Sequence, residues 1–456
     1  MAASQSNAQL ERSIGLVGAT ALVVGAVIGA GLYTILAEIA QATGNTLWLA
    51  FMLAMLVSLV SVIPLIEIAG AIPRAGAGYL FTSRLLAPWL GFLTSYWILL
   101  GGASSTCLVA LTMAEYVAPL LPAQTPHLLV AVLILGLFYA VYQFGVQLAA
   151  GLQVAMAAQF VIALLIFAGA GLWQAPHYAM GLAPPQGWGA FFGGAILCYT
   201  TCMGFQVVAE LGEEIKAPRR NIPLALLIGG AIVAVIYIGV GTAFVSNLAV
   251  PLDAVREMRQ PLTTTAAAFL PAPLVLFLAL GAYGAGLTSL NAAAIALPRE
   301  LYAQARDGLI PAWLGAVSPR THTPQHAVTA YFLFCIALLL LAGQGPGFFG
   351  VMTAVGILAM SAILCIAALR LETRFPAERA AAFLTFPRPL LWCCTVITVA
   401  ASLGLIVIVL LELPRVALIY AAWTGIVLLL YRLRTRRFTP EDWARIAAIP
   451  RGNAAE

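Results

Sequence analysis

The segment Gly25-Ala-Val-Ile-Gly29-Ala-Gly31-Leu-Tyr33 sets three glycines in seven residues at the middle of an apolar run from Ile14 to Leu36. A run of that length reads as a helix crossing a bilayer, where lipid offers no partner to a backbone N–H or C=O group. Each glycine weakens a helix by roughly 1 kcal/mol relative to alanine. Two readings follow. Small residues four apart allow two helices to approach closely. Alternatively the helix opens here, and protein, ion or polar ligand takes up the freed backbone groups.

Composition places the whole chain in the membrane: 62% of its 456 residues are hydrophobic and 9% are charged, against about 25% charged in a soluble domain. Twelve apolar stretches are long enough to cross a core of about 30 Å as helices. They lie near 14–38, 46–72, 88–118, 127–144, 149–172, 189–211, 223–246, 273–303, 326–343, 348–370, 390–412 and 414–432. With the N-terminus inside, every one of the 22 lysines and arginines except Arg256, Arg259 and Arg415 falls on one face. The positive-inside rule then makes that face, and both termini, cytoplasmic. No cleavable signal peptide is visible, and 251–270 is too polar to span. The seven cysteines fall in apolar runs without a CxxC pair, so neither a disulfide framework nor a zinc site is expected. The net charge of +5 serves topology, and no nucleic-acid partner is expected.

A second interruption, Cys198-Tyr-Thr-Thr-Cys-Met-Gly-Phe-Gln206, lies in the sixth stretch. The first and sixth stretches are equivalent if helices 1–5 and 6–10 are repeats, and five helices per repeat gives the two opposite orientations. Paired interruptions in two halves point to a binding site at the bilayer midplane. This favours the unwound reading of the first glycine cluster. The expected organisation is a tail at 1–13, a first repeat at 14–172, a second at 189–370, two further helices at 390–432 and a tail at 433–456.

The glycine segment and the stretch Gly204-Phe-Gln-Val-Val-Ala-Glu-Leu-Gly-Glu-Glu214-Ile-Lys-Ala-Pro218-Arg-Arg-Asn-Ile-Pro223 resemble signatures of the amino acid–polyamine–organocation transporter superfamily. Two shorter matches are Pro73-Arg-Ala-Gly-Ala-Gly-Tyr79 and Pro298-Arg-Glu-Leu-Tyr302 with Ala305-Arg-Asp-Gly-Leu-Ile-Pro311. The resemblance covers helices 1–10. It implies an all-α membrane fold of twelve helices, the 5+5 inverted repeat shared with the bacterial leucine transporter plus two C-terminal helices. It also implies that helices 1, 2, 6 and 7 move against 3, 4, 5, 8, 9 and 10. The chain departs from the family pattern at Gln206, where an acid is usual, at Ala217, where Asn is usual, and at Ala77 in place of Gly. Its fifth helix lacks the lysine that some proton-coupled members carry.

An α-amino acid brings a carboxylate and an ammonium, and burying either unpaired is prohibitive. N–H groups near Ala30 and Gly31 open the second half of helix one and suit the carboxylate. Carbonyls near Ala26–Val27 and Tyr199–Thr200, with that of Met203, suit the ammonium. Val27, Ile28 and Gly29 complete the first break, and glycines at 29 and 31 permit close approach of the ligand. Cys198, Thr201, Cys202, Met203 and Phe205 are expected either to shape the side-chain pocket or to make ordinary helix contacts.

Intramembrane carboxylates default to a functional reading. Glu210 is expected to pair with Arg219 or Arg299 as a gate, or to carry a proton. Glu67 is expected to titrate with coupling or to bond to helix one or six. Glu213, Glu214, Lys216, Arg219 and Arg220 read as a solvated network, and Gln206 as a neutral coupling position. Ala285, Thr288 and Ser289 share one helix face. They resemble the leucine-transporter family's sodium segment, whose matching carbonyls here belong to Gly25 and Ile28. The alternative is two hydroxyls bonding back one turn.

The expected function is alternating-access secondary transport of α-amino acids, neutral rather than cationic, across a bacterial inner membrane. Partners are the amino acid and the lipid bilayer, and the only cofactor considered is a coupling sodium ion. A polyamine or cationic amino acid carrier or exchanger is the alternative, and a channel is the rival class. The enzyme reading fails, because the glycine cluster has spanning sequence on both sides where a nucleotide loop needs a strand before it.

Overall fold

A computed structural model describes residues 10–117, 121–122, 125–143, 146–175, 178–255, 258, 260–343 and 345–450. Arg256 and Arg259 and the outer parts of both tails lie outside them. The described residues are helical, with two isolated β-bridges and no strand among them. The first half comprises α1 (Leu16–Val27), α2 (Ala30–Thr43), α3 (Leu47–Ala71), α4 (Ala77–Leu85), α5 (Pro88–Val117), α6 (His127–Tyr142) and α7 (Val146–Gln174). The second comprises α8 (Gly187–Thr201), a 3₁₀ turn at Phe205–Val208, α9 (Pro218–Ser246), α10 (Pro261–Ala266), α11 (Ala272–Ala296), α12 (Pro298–Arg306), α13 (Gln325–Ala342) and α14 (Pro346–Ala368). Short α15 (Leu371–Arg374) and α16 (Pro376–Ala380) lead to α17 (Arg388–Glu412), α18 (Pro414–Thr435) and α19 (Pro440–Ala447).

Ten helices among the described residues are long and apolar enough to cross a membrane, against twelve expected. The expected first span is divided at Ile28–Gly29, and the fourth is the 16-residue α6. The expected eighth span also ends earlier: α11 stops at Ala296, and Pro298 starts α12. Proline at the first helical position loses no hydrogen bond and is already set for the helix, so it starts new helices readily.

Burial is arranged for lipid. Leucines and valines stand out of the bundle on its periphery, as at Leu341, Leu411 and Leu418, while the centre is closed around Val23, Ile28, Phe51, Tyr237 and Phe244. Helix α1 packs against α7, α9 and α11, α2 against α8, and α3 against α8 and α9. The broken segments therefore lie at the middle of the molecule. Helices α17 and α18 pack on the outside, against α14 and α5.

The start of α9 carries local strain. Ala217 precedes Pro218 in the left-handed region, at φ 42 and ψ 57. There a Cβ crowds the following carbonyl at a cost of roughly 1–2 kcal/mol. Glycine has no such cost. Ala217→Gly is expected to raise stability by about 0.5–1 kcal/mol, and Ala217→Val to lower it, read as opposite shifts of the melting temperature in detergent.

Candidate functional site

The two helix breaks meet. At the end of α1, Ile28 leaves helical geometry (φ −81, ψ 84) and Gly29 is extended (φ −96, ψ −169). Ile28 N–H still donates to Val24 O (2.8 Å), and Gly29 N–H donates to Val27 O (3.0 Å). Helix α2 then begins at Ala30 with no capping side chain. Its first N–H groups, at Ala30, Gly31 and Leu32, look back into the break. The second break is narrower than the sequence implies, because Cys198 to Thr201 remain helical and the chain turns only at Cys202. Gly204 sits at φ +127, and a Cβ there would stand 2.7 Å from Ala26 O. Only glycine combines that backbone angle with that contact.

Three hydroxyls from neighbouring helices satisfy the freed carbonyls. Tyr237 of α9 donates to Thr201 O (2.8 Å) and lies 3.1 Å from Val27 O, so one buried phenol bridges both breaks. Its ring packs on Phe51, with centroids 5.2 Å apart. Ser58 of α3 donates to Cys202 O (2.7 Å), and Ser289 of α11 to Gly25 O (3.0 Å). Sequence reasoning missed Tyr237 and Ser58. Their signal, a lone hydroxyl in an apolar run, does not say which carbonyl it reaches.

The expected pocket residues divide. A Cβ on Gly31 would lie 3.5 Å from Thr201 Cγ2, so the first turn of α2 adjoins the last turn of α8. Cys198 and Cys202 are buried beside Tyr237, and Tyr199 is buried near Cys365 of α14. Met203 is half-buried. Thr200 is exposed, its hydroxyl returned to Leu197 O (2.7 Å). Phe205 is buried against Gly230 of α9. The structure thus gathers Val27, Ile28, Gly29, Gly31, Thr201 and Cys202, leaves Thr200 exposed, and packs the Phe205 turn against α1. On α11, Thr288 Oγ1 donates to Ala285 O (2.9 Å), and Ser289 Oγ lies 3.3 Å from the same carbonyl.

The three motif connections converge at the basic end of the bundle. Glu210, 2% exposed, accepts from the N–H groups of Ala77 (2.8 Å) and Gly78 (3.2 Å) at the start of α4. Glu300 accepts from Tyr79 N–H (3.0 Å), and the two carboxyls lie within hydrogen-bonding reach of each other. A Cβ on Gly76, at φ +77, would meet Arg299 O at 2.7 Å, so glycine is required where α4 turns in beneath α12. Tyr79 Oη donates to Asp307 Oδ2 (2.6 Å), which also pairs with Arg84.

Several expected partners differ. Glu210 pairs with neither arginine proposed for it. Arg299 instead forms a two-pronged pair with Glu214 (2.7 and 2.9 Å), both side chains buried, and Arg219 meets Glu378 (3.0 Å). Glu214 is therefore no part of a solvated network. A planar guanidinium matches a carboxylate in this way, which makes burial of both tolerable. Glu67 is tied neither to α1 nor to α8. It holds Arg379 (2.6 Å) and Phe386 N–H (2.8 Å), fastening the segment after α14 to the end of α3. The resulting charge-assisted bond holds the Arg379 guanidinium above its ordinary range. Gln206 donates to Ser361 Oγ (2.5 Å).

The chain is similar to known proteins over most of its length. A family model described as amino acid permease matches residues 14–430. An uncharacterized transporter of Mycobacterium tuberculosis is 30% identical over 328 residues, 70% of this chain and 71% of the relative. Human cationic amino acid transporter 4 is 30% identical over 366 residues, 74% of this chain and 56% of that protein. The branched-chain amino acid permease BcaP of Bacillus subtilis is 24% identical over 371 residues, 75% of this chain and 76% of the permease. The matched region runs from the approach to α1 into α18 and takes in both helix breaks and the basic-end connections, so the chain belongs to the amino acid permease family, within the amino acid–polyamine–organocation superfamily.

Proposed function

We propose that this multi-pass membrane protein is a secondary transporter of neutral α-amino acids, working by alternating access in a bacterial inner membrane. In this reading the chain crosses the bilayer twelve times. Helices α1–α7 and α8–α14 hold two five-span repeats of opposite orientation, and α17 and α18 lie outside them. The arginine-rich end is cytoplasmic. The observation that carries the reading is the meeting of a helix start without a capping side chain, α2, with the last turn of a second broken helix, α8. The positive end of α2 suits a carboxylate. The carbonyl of Thr201 keeps a lone pair beyond its bond to Tyr237 and suits an ammonium, whereas that of Val27 already accepts from both Tyr237 and Gly29 N–H.

Net charge on the substrate side chain is disfavoured by where the acids go. Glu67 is engaged by Arg379, and Glu210 by the start of α4. The relative named as a branched-chain amino acid permease supports a neutral substrate. The relatives named as cationic amino acid transporters support the alternative, a cationic or polyamine carrier. Release on the basic side requires parting Glu214 from Arg299 and lifting α4 from Glu210 and Glu300.

A thermal-shift screen of the twenty L-amino acids, followed by counterflow in vesicles, tests the substrate class. Neutral zwitterions are expected to raise the melting temperature, and the matching decarboxylated amines are not. A diamine that stabilises the protein, and fails to do so in Glu210→Gln, would return the cationic reading.

Gly31→Val is expected to fold and insert normally, because its Cβ meets Thr201 only at ordinary contact distance, and to lose amino acid binding. Gly29→Val should also lose stability, since its Cβ would stand 2.7 Å from Ser289 Oγ. Wild-type affinity in Gly31→Val would remove the α2 start from the site.

Breaking the buried gate pair by Arg299→Met should cost about 3–5 kcal/mol. Adding Glu214→Gln should recover part of that loss, read as a partial return of the melting temperature.

A further inference from the structure

Three buried polar side chains that the transport site leaves unused form one directed chain across the bundle. Tyr142 Oη of α6 donates to Asn291 Oδ1 of α11 (2.7 Å) and lies 2.6 Å from Asn291 O. Asn291 Nδ2 donates to Gln153 Oε1 of α7 (2.8 Å), and Gln153 Nε2 reaches Ala21 O of α1 (3.3 Å). Gln153 and Asn291 are both 0% exposed. The direction is set at the α1 end, because a backbone carbonyl only accepts. The glutamine nitrogen, not its oxygen, must therefore face α1.

That nitrogen occupies a particular place. A Cβ on Gly25 would collide with Gln153 Nε2, and would stand 2.8 Å from Thr288 Cβ and 3.2 Å from Thr288 Oγ1. The amide nitrogen and Thr288 both lie against Gly25, on the seam where the sequence reading sets a sodium ion. A cation there needs inward-facing oxygen lone pairs. The seam instead presents an N–H donor carrying positive partial charge. The hydroxyl protons of Thr288 and Ser289 go to Ala285 O and Gly25 O, which leaves lone pairs on both hydroxyls, so it is the amide donor that opposes a cation. These residues do not fit a sodium ion.

We propose that Gln153 is a positioning residue that stands in for a coupling ion at the seam of α1, α7 and α11. Its neutral amide joins α7 to α1 about two turns before the helix break and holds that break in its binding geometry without a cation. The consequence for transport rests on the amino acid transporter reading; the clasp is tested without substrate.

The test uses purified full-length protein, melted as sodium chloride replaces choline chloride at constant ionic strength. A cation bound only by the folded state must raise the melting temperature by mass action. The wild type is expected to show no sodium-dependent rise. Gln153→Glu, nearly isosteric, sets a carboxylate among these carbonyls and hydroxyls and should gain one. A mere packing role for Gln153 would not produce that gain. A wild-type rise that Thr288→Ala with Ser289→Ala removes would overturn the proposal, and so would a folded Gln153→Glu protein indifferent to sodium. The wild-type series decides the matter even if the Glu variant does not fold. Absence of any amino-acid-induced shift, in sodium or in choline, would sink the transporter reading separately and leave the sodium series standing.

Discussion

A helix opened at membrane depth exposes backbone groups that lipid cannot satisfy, and everything at the centre of this protein answers to that constraint. The breaks at Ile28–Gly29 and Cys202–Gly204 persist because neighbours supply donors. Tyr237 binds Val27 O and Thr201 O, Ser58 binds Cys202 O, and Ser289 binds Gly25 O. Gly204 lets the second break lie directly on Ala26 O. Each break is thus part of the other's surroundings. The start of α2 has no capping side chain, and in the proposed transporter its positive end faces the substrate carboxylate.

Charge is kept out of that centre and concentrated at one end. The buried pair Glu214–Arg299, the contact of Asp307 with Arg84 and Tyr79, and the carboxyls at the start of α4 all lie among the basic-end connections. Neutral groups perform the corresponding work at the midplane: a phenol, hydroxyls and the Gln153 amide. A neutral donor fixes a carbonyl at a smaller desolvation cost than a buried ion. It also leaves no fixed charge to repel either end of a zwitterion.

The sequence was legible where a feature is local. A glycine cluster marked the first break and the interruption at 198–206 the second, apolar length marked most spans, and the three motif connections that converge on Glu210, Glu300 and Asp307 were recognisable as motifs. It was silent where the partner is distant in the chain. Nothing around Tyr237 indicates that it reaches Val27, 210 positions away, and nothing around Gln153 indicates Ala21 or Asn291. The misassigned acids show the same limit. Glu210 and Glu67 stand out in the sequence as acids in apolar runs, but Glu210 took backbone N–H groups rather than an arginine, and Glu67 an arginine far along the chain. Spacing identifies a face of a helix; it does not identify what packs on it.

The hydrogen bonds at the centre fall into two sets, and the division bears on how such a protein would move. Tyr237 and Ser58 join α1, α3, α8 and α9 to one another. These are the elements that the family resemblance assigns to one moving body. Ser289 and Gln153 instead reach α1 from α11 and α7, and Arg299 and Glu300 reach the basic-end loops from α12. In the proposed transporter the first set travels intact and keeps the two breaks together around the substrate. The second set must be remade at each turnover. Its midplane members are neutral bonds to backbone carbonyls, each worth only about 1 kcal/mol net. Its basic-end members include a buried ion pair, which is far costlier to separate. The resistance to opening thus sits at the basic end, and the centre is held just firmly enough to keep its geometry.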